Sequence, residues 1–538
     1  MASNSMSCRG AIEHYESRVD GTKQPYAVCA TDDDGGPWPL ILEVSPGAIT
    51  DMEAAVRLVE GMAADAKAAG HACIVARPAG RGPGSVYQNY GEVDVFEVID
   101  RIDATRGIDR DRISVTGASM GGAATWYLIS HYPDRFAAAA PFCGYCDYRL
   151  WEKPGGLTFP MQAWEEPSWQ GRSAALLVEN LRHIPVWIVH GAWDRAVGGG
   201  VPVEHSRQMA RLLEERGFTH EYTELPETGH DTGDPELRAA VIAWLLEQRR
   251  ERNPSAVSLA TWTLRHSRSH WLEIDQLSHY GGRGCVDARV GDGRLEVSTE
   301  GVAALALGPL DEAGPLQLEI DGTGLGAFDF GWRRPFRLEA SGWTASDLTP
   351  GEKRPGCAGP LGDLFFAGTI LVVGTAGTSE ETFHNRWVAD NAVGHFSNRN
   401  GGVHRGGILG QTSTQLRLVE DADLSDEELN ASNLILYGTP ASNAVLSRLQ
   451  RHIPVAFTAS GLELGGRSYA GSRVAAFAIF PHPGNPERYV AVHGGTAPDA
   501  ICWGSHLDMM LLPDYLVYDG GEVLDWGYFG NDWTPQPV

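Results

Sequence analysis

Between Pro39 and about Arg250, short apolar runs alternate with longer stretches whose apolar positions recur at helical spacing. Residues 40–44, 72–76, 112–116 and 186–190 read as buried strands. Residues 52–69, 93–105, 204–216 and 235–250 read as the helices that cover them, and residues 221–225 add a further apparent strand. Strands separated by helices of roughly 10 to 18 residues build a mostly parallel sheet covered on both faces, so this part of the chain is expected to be an α/β domain.

The texture changes after Arg252. Short β-rich runs such as 259–264 and 293–297, separated by Gly and Asp turns, continue to about residue 345. From about Leu361 the alternation returns, with 370–374 and 433–438 as strands, each followed by a helical stretch. The expected organisation is an α/β catalytic domain over 1–252, a β-rich module over 255–345 and a smaller α/β module over 346–538, with antiparallel strands near its end.

Length agrees with that division, because 538 residues exceed what one core supports. A formal charge of −26 sets up a field that repels phosphate backbones and anionic lipid, so neither nucleic acid nor a membrane is an expected partner. Association of copies through the C-terminal modules is compatible with the pattern. The eight cysteines are scattered, unlike a secreted disulfide framework, and most are expected to be free thiols. Cys143 and Cys146 form a CxxC, but no second pair or nearby histidine completes a zinc set, so they read as packing residues and no metal or cofactor is expected. Residues 1–9 lack the apolar centre of a secretion signal. The expected compartment is the cytoplasm, although a signal already removed would leave no trace.

The chemistry is concentrated at Gly117-Ala118-Ser119-Met120-Gly121-Gly122, which joins a β-branched run to a helical one. That pattern is a nucleophile elbow: small neighbours let strand and helix approach while the serine hydroxyl stays exposed. Serine needs a base within hydrogen-bond reach and an acid to orient the base. Asp194 in His190-Gly191-Ala192-Trp193-Asp194 and His230 in Thr228-Gly229-His230 follow in the order Ser, Asp, His, each at a strand end. Asp147 and Asp231 are weaker candidates for the acid.

Residues of about 10 to 250 resemble the prolyl oligopeptidase-like branch of α/β-hydrolases, particularly its esterase-type members, such as carboxylesterases and feruloyl esterases with a C-terminal accessory region. The matching pieces are Asp111-Arg112-Ile113 ahead of the elbow, His190-Gly191 with Asp194 and Val201-Pro202, and Gly229-His230. The resemblance implies Ser119 as nucleophile, Asp194 as orienting acid and His230 as base. Gly198-Gly199-Gly200 departs from it as an apparent insertion beside the acid.

One oxyanion donor is expected from the backbone N–H of Met120 and the other from the loop after the first core strand. There the chain reads Ser45-Pro46-Gly47-Ala48, and Pro46 has no N–H, which leaves Gly47 or Ala48. Tyr145, Trp164 and Arg81 are candidates for substrate binding. Tyr145 and Trp164 lie in or beside an aromatic-rich, lid-like stretch, and Arg81 is either a carboxylate anchor or a brace paired with Glu92 or Asp94.

These residues predict a serine hydrolase that cleaves carboxylic esters, with small or aromatic acyl groups, through an acyl-enzyme. The same triad serves a serine peptidase or aminopeptidase, for which Glu165-Glu166 is the adjacent acidic pair suited to an α-amine, and it also serves an acyltransferase. A binding protein with a vestigial hydrolase domain is the remaining class, and an intact triad argues against it.

Overall fold

The computed structural model describes residues 9–32, 35–45, 51–81, 87–150, 161–195, 200–311, 314–397, 416–458 and 460–536, with side chains not described at 394–397. The first sheet has eight strands: β1 (Ala11–Glu16), β2 (Lys23–Ala30), β3 (Trp38–Glu43), β4 (Ile74–Pro78), β5 (Ile108–Ala118), β6 (Ala138–Phe142), β7 (Val186–Gly191) and β8 (His220–Leu225), in the order β1-β2-β4-β3-β5-β6-β7-β8. β3 to β8 run parallel, and β1 and β2 add an antiparallel edge. The sheet is mostly parallel, as the alternation of apolar runs and helices predicts, but that pattern does not reach the antiparallel edge. β2 carries Pro25 inside a run with no clean period of two, which hides it from pattern reading.

Helices α1 (Met52–Ala68), α2 (Tyr90–Arg106), α3 (Met120–His131), α4 (Glu166–Gly171), α5 (Glu204–Glu215) and α6 (Pro235–Glu247) follow in chain order. α1 and α6 cover one face of the sheet, burying Val59, Met62, Val241 and Leu245 with Ile41 and Val75. α2, α3 and α5 cover the other, where Ile99, Trp126 and Met209 pack with Leu40, Val115 and Ile188. Because both faces are covered, β3 and β4 are buried along nearly their whole length and read as continuous apolar runs.

Residues 256–344 form two five-stranded sheets around one core that includes Trp271, Leu305 and Phe336. Residues 369–527 form a seven-stranded sheet whose strands Thr369–Val373, Arg417–Glu420, Asn433–Tyr437 and Asn485–Gly495 are parallel to one another, with Val474–His482, Tyr515–Asp519 and Glu522–Gly527 joined antiparallel beyond Asn485–Gly495.

Buried charges join these units. Glu92 on α2 accepts from Tyr127 and Tyr132 and meets His266 of the β-rich module at 3.1 Å, and the adjacent Arg265 bonds Asp363 of the C-terminal module at 2.9 Å. Lys353 is fully buried on Asp514 with the Tyr280 and Trp533 rings 4.0 and 4.8 Å from its ammonium, so it ties the second unit to the third. Breaking a buried pair strands a charge, at a cost of about 3–5 kcal/mol. Lys353→Met is therefore expected to lower the unfolding free energy of the C-terminal two units by that amount in urea titration, with a matching fall in the midpoint, and an unchanged midpoint would show that the pair is not holding them.

Candidate active site

β5 enters the elbow, and α3 leaves it one residue after Ser119, which takes φ 60° and ψ −118°. A left-handed serine costs about 1–3 kcal/mol unless its surroundings dictate it. Here they do. A Cβ on Gly121 would stand 2.5 Å from Cα of Ser45, and one on Gly122 would stand 2.3 Å from the carbonyl oxygen of Phe142. Only glycine lets the first turn of α3 press against β3 and β6, and that pressure pivots the chain at Ser119.

Asp194 lies three residues past β7 and is almost fully buried, whereas the His230 side chain keeps about a third of its surface open. The two loops are forced together at Gly191, where a Cβ would sit 2.0 Å from the carbonyl oxygen of Gly229. His230 Nε2 lies 2.8 Å from Ser119 Oγ and its Nδ1 lies 2.7 Å from Asp194 Oδ2. The carboxylate has further donors: the Val201 N–H on Oδ1 at 3.1 Å and His190 Nε2 on Oδ2 at 3.1 Å. His190 is fully buried, its Nε2 also faces the Val201 carbonyl at 3.0 Å, and its Nδ1 faces Ser206 Oγ at 2.7 Å. Since a carboxylate and a carbonyl only accept, Nε2 of His190 carries the proton. Sequence reasoning missed this residue as a partner of Asp194, although its place at the end of β7, four residues before the acid, was the signal available.

Burial works to raise the Asp194 carboxyl, but the hydrogen bonds from His190 and His230 outweigh it and hold the group below its ordinary range. The hydrogen bond to Asp194 in turn raises the His230 imidazole above its ordinary value, against partial desolvation. A charged acid beside a base that gains basicity is the arrangement that lets a serine hydroxyl lose its proton. Cys143, with φ 47° at the end of β6, sits behind this pair with Sγ 3.6 Å from the His230 carbonyl and 3.5 Å from Thr232 Oγ1. Burial pushes its thiol up to about 11.

Other expected residues fall elsewhere. Arg81 is a correction: it is fully buried, donates to both oxygens of Asp94 at 2.9 and 3.0 Å and to Asp20 at 2.8 Å, and also reaches Ser17. It braces the loop after β4 and offers nothing to a substrate. Asp147 is held by Arg149 and Gln208, and Asp231 caps the Gly233 N–H, so neither meets His230. Tyr145 packs against the core of the first sheet with the His205 ring 6.3 Å away, while Trp164 packs against the core of the C-terminal module. Gly47, Ala48, Gly198, Gly199 and the lid residues Trp151 and Phe159 lie outside the described residues.

Residues 84–249 match the sequence profile of the prolyl oligopeptidase family. The matched segment lies within the eight-stranded α/β domain, so the chain is similar to that family over this segment. A secreted protein of uncharacterised activity from Arthroderma benhamiae is 40% identical over 129 residues, 23% of this chain and 13% of that protein. A poly(3-hydroxyalkanoate) depolymerase C from Paucimonas lemoignei is 38% identical over 63 residues, 12% of this chain and 15% of that one. The chain thus spans well under a fifth of either relative. Among solved structures, a thermostable esterase shares 24% identity over 45% of this chain and 64% of its own, with a TM-score of 0.35. No described helix of the hydrolase domain or of the later units is long and apolar enough to cross a membrane.

Because the raised imidazole must be neutral to accept a proton, kcat/KM of the hydrolase domain is expected to rise with pH along a limb whose midpoint lies above the ordinary histidine value of about 6.5. Asp194→Asn removes the raising partner and should cut kcat by roughly 10⁴-fold. A pH–rate profile of the wild type with its limb at or below that value would contradict the assigned coupling.

Proposed function

We propose that this protein hydrolyses carboxylic esters through an acyl-enzyme formed on Ser119. The observation that carries the reading is the continuous chain from Ser119 Oγ through both nitrogens of His230 to Asp194, at 2.8 and 2.7 Å. In the first half-reaction Oγ attacks the ester carbonyl as Nε2 takes its proton, and the charged pair His230–Asp194 forms without the proton passing on to Asp194. The tetrahedral oxyanion would take the Met120 N–H at the start of α3 as one donor, with the second left to the loop after β3, where Gly47 or Ala48 is the sequence candidate. Collapse expels the alcohol, which leaves with the proton from Nε2. Water then repeats the sequence on the acyl-serine and releases the acid.

An ester is favoured over a peptide by the state of the acidic pair that an aminopeptidase would need. Glu165 accepts from the Gln162 N–H at 3.1 Å, and Glu166 accepts from Tyr148 and Gln170 at 3.2 and 3.1 Å, so both carboxylates are engaged within the lid. The relative named for poly(3-hydroxyalkanoate) depolymerisation has an ester-linked substrate, which agrees with this reading. Tyr145 remains the aromatic candidate for the acyl side of a small or aromatic ester. Acyl transfer to an acceptor other than water uses the same residues and is distinguished by product analysis. The cysteines described are free thiols, which suits a reducing compartment such as the cytoplasm.

Wild type and Ser119→Ala compared on a short-chain nitrophenyl ester, a feruloyl ester and an aminoacyl anilide test the proposal. The expected result is ester turnover reduced in the variant by on the order of 10⁶-fold, with the anilide far slower than the esters in the wild type. Comparable anilide turnover would replace the esterase reading with a peptidase, and ester turnover that survives Ser119→Ala would end it.

A further inference from the structure

The Sγ of Cys143, a carboxylate oxygen of Asp194 and a ring nitrogen of His230 all lie within 4.8 Å of one another. Nothing in ester hydrolysis uses the thiol. Its position behind the Asp–His pair places sulfur, nitrogen and oxygen around one point, the donor set that borderline and soft divalent ions prefer and that Mg²⁺ and Ca²⁺ do not. We propose that Cys143, Asp194 and His230 form an inhibitory site for Zn²⁺-type ions, whose occupation switches the hydrolase off. The inhibition rests on the esterase reading, whereas the binding rests on the geometry alone.

The chemistry of binding explains why the ion would silence the enzyme. Asp194 faces Nδ1 of His230, so an ion coordinated there takes the place of the proton that Nδ1 donates to Oδ2. The imidazole stays neutral by carrying its proton on Nε2, and the thiol proton of Cys143 is released to solvent. Nε2–H then points at Ser119 as a donor and has no lone pair for the serine proton. Water completes a tetrahedral shell, as at zinc sites with three protein ligands.

Three features favour the site. Asp194 is held from behind by Val201 and His190, so one ligand is fixed and the outer contacts that orient metal ligands are in place. Away from its crossing with Gly191 the histidine loop is open: Pro226, Glu227, Gly229, Asp231 and Gly233 are exposed, and a Cβ on Gly229 would meet nothing. The His230 side chain keeps about a third of its surface open, so a side-chain rotation that opens its 2.7 Å contact with Asp194 leaves the crossing at Gly191 in place. The net charge of −26 also raises the local concentration of cations.

The test uses Zn²⁺, Cd²⁺ and Mg²⁺ as probes on the full chain. Ester turnover, scaled to each variant's own uninhibited rate, is measured for wild type, Cys143→Ser and Cys143→Ala. Zn²⁺ and Cd²⁺ should inhibit the wild type reversibly on addition of a chelator, Mg²⁺ should not, and both substitutions should raise the half-inhibitory concentration at least tenfold. Independently of any turnover, Cd²⁺ added to Ser119→Ala should produce the ultraviolet charge-transfer band of a cadmium thiolate, and that band should be lost in Ser119→Ala/Cys143→Ser. Equal inhibition with and without Cys143, inhibition by Mg²⁺ alone, or a cadmium band that does not depend on Cys143 would each overturn the proposal. A Cys143-dependent band with no ester turnover in the wild type would leave the site standing and the esterase reading refuted.

Discussion

The contact on which the first domain depends is the near-collision of α3 with β3 and β6. Gly121 and Gly122 leave backbone against backbone, with no room for even one methyl group. The strand ahead of them and the helix behind are buried on both sides, so the geometry of the junction is set by packing and the residue at the pivot absorbs the strain. That residue is Ser119. The same economy of space recurs at Gly191, where the loop carrying His230 crosses the loop carrying Asp194. Two glycine contacts therefore fix three side chains that lie 111 and 36 residues apart in pairs.

Electrostatics then act on what packing has placed. Asp194 is buried with its oxygens turned to Val201, His190 and His230, which keeps it charged and gives His230 its added basicity. The domain is continuous with the units that follow it. Val19, Tyr90 and Val93 contribute to the hydrophobic core of the C-terminal module, Trp164 packs on that core, and Arg172 near the lid donates to the Met510 carbonyl at 3.1 Å. The accessory modules thus pack on the start of α2 and on the described part of the lid stretch.

Much of this was legible in the chain. The elbow, the runs of β3, β4, β5, β7 and β8 and the order Ser119, Asp194, His230 are local patterns, and local patterns survive in sequence; β6, an alanine run interrupted by Pro141, was not read as a strand. What escaped was non-local. The edge strand β2 lacks periodicity, and although Asp94 was open to Arg81 as a brace, its second partner Asp20 lies sixty-one residues earlier, on a segment not read as part of the sheet. His190 was quoted as part of a motif but not weighed, because its bonds to Asp194 and Ser206 exist only once β7 and α5 have packed. The interpenetration of the cores is likewise invisible to composition, since Tyr90 and Val93 belong by sequence to a helix of the first domain.

The central claim is that Ser119 is an activated nucleophile and not merely an exposed serine. Intact-mass analysis after treatment with a fluorophosphonate, followed by peptide mapping, tests it without assuming a substrate. The account predicts one adduct per chain, on Ser119, formed far more slowly in Asp194→Asn and absent in Ser119→Ala. An unmodified chain, or an adduct on another residue at the same rate in all three proteins, would contradict it.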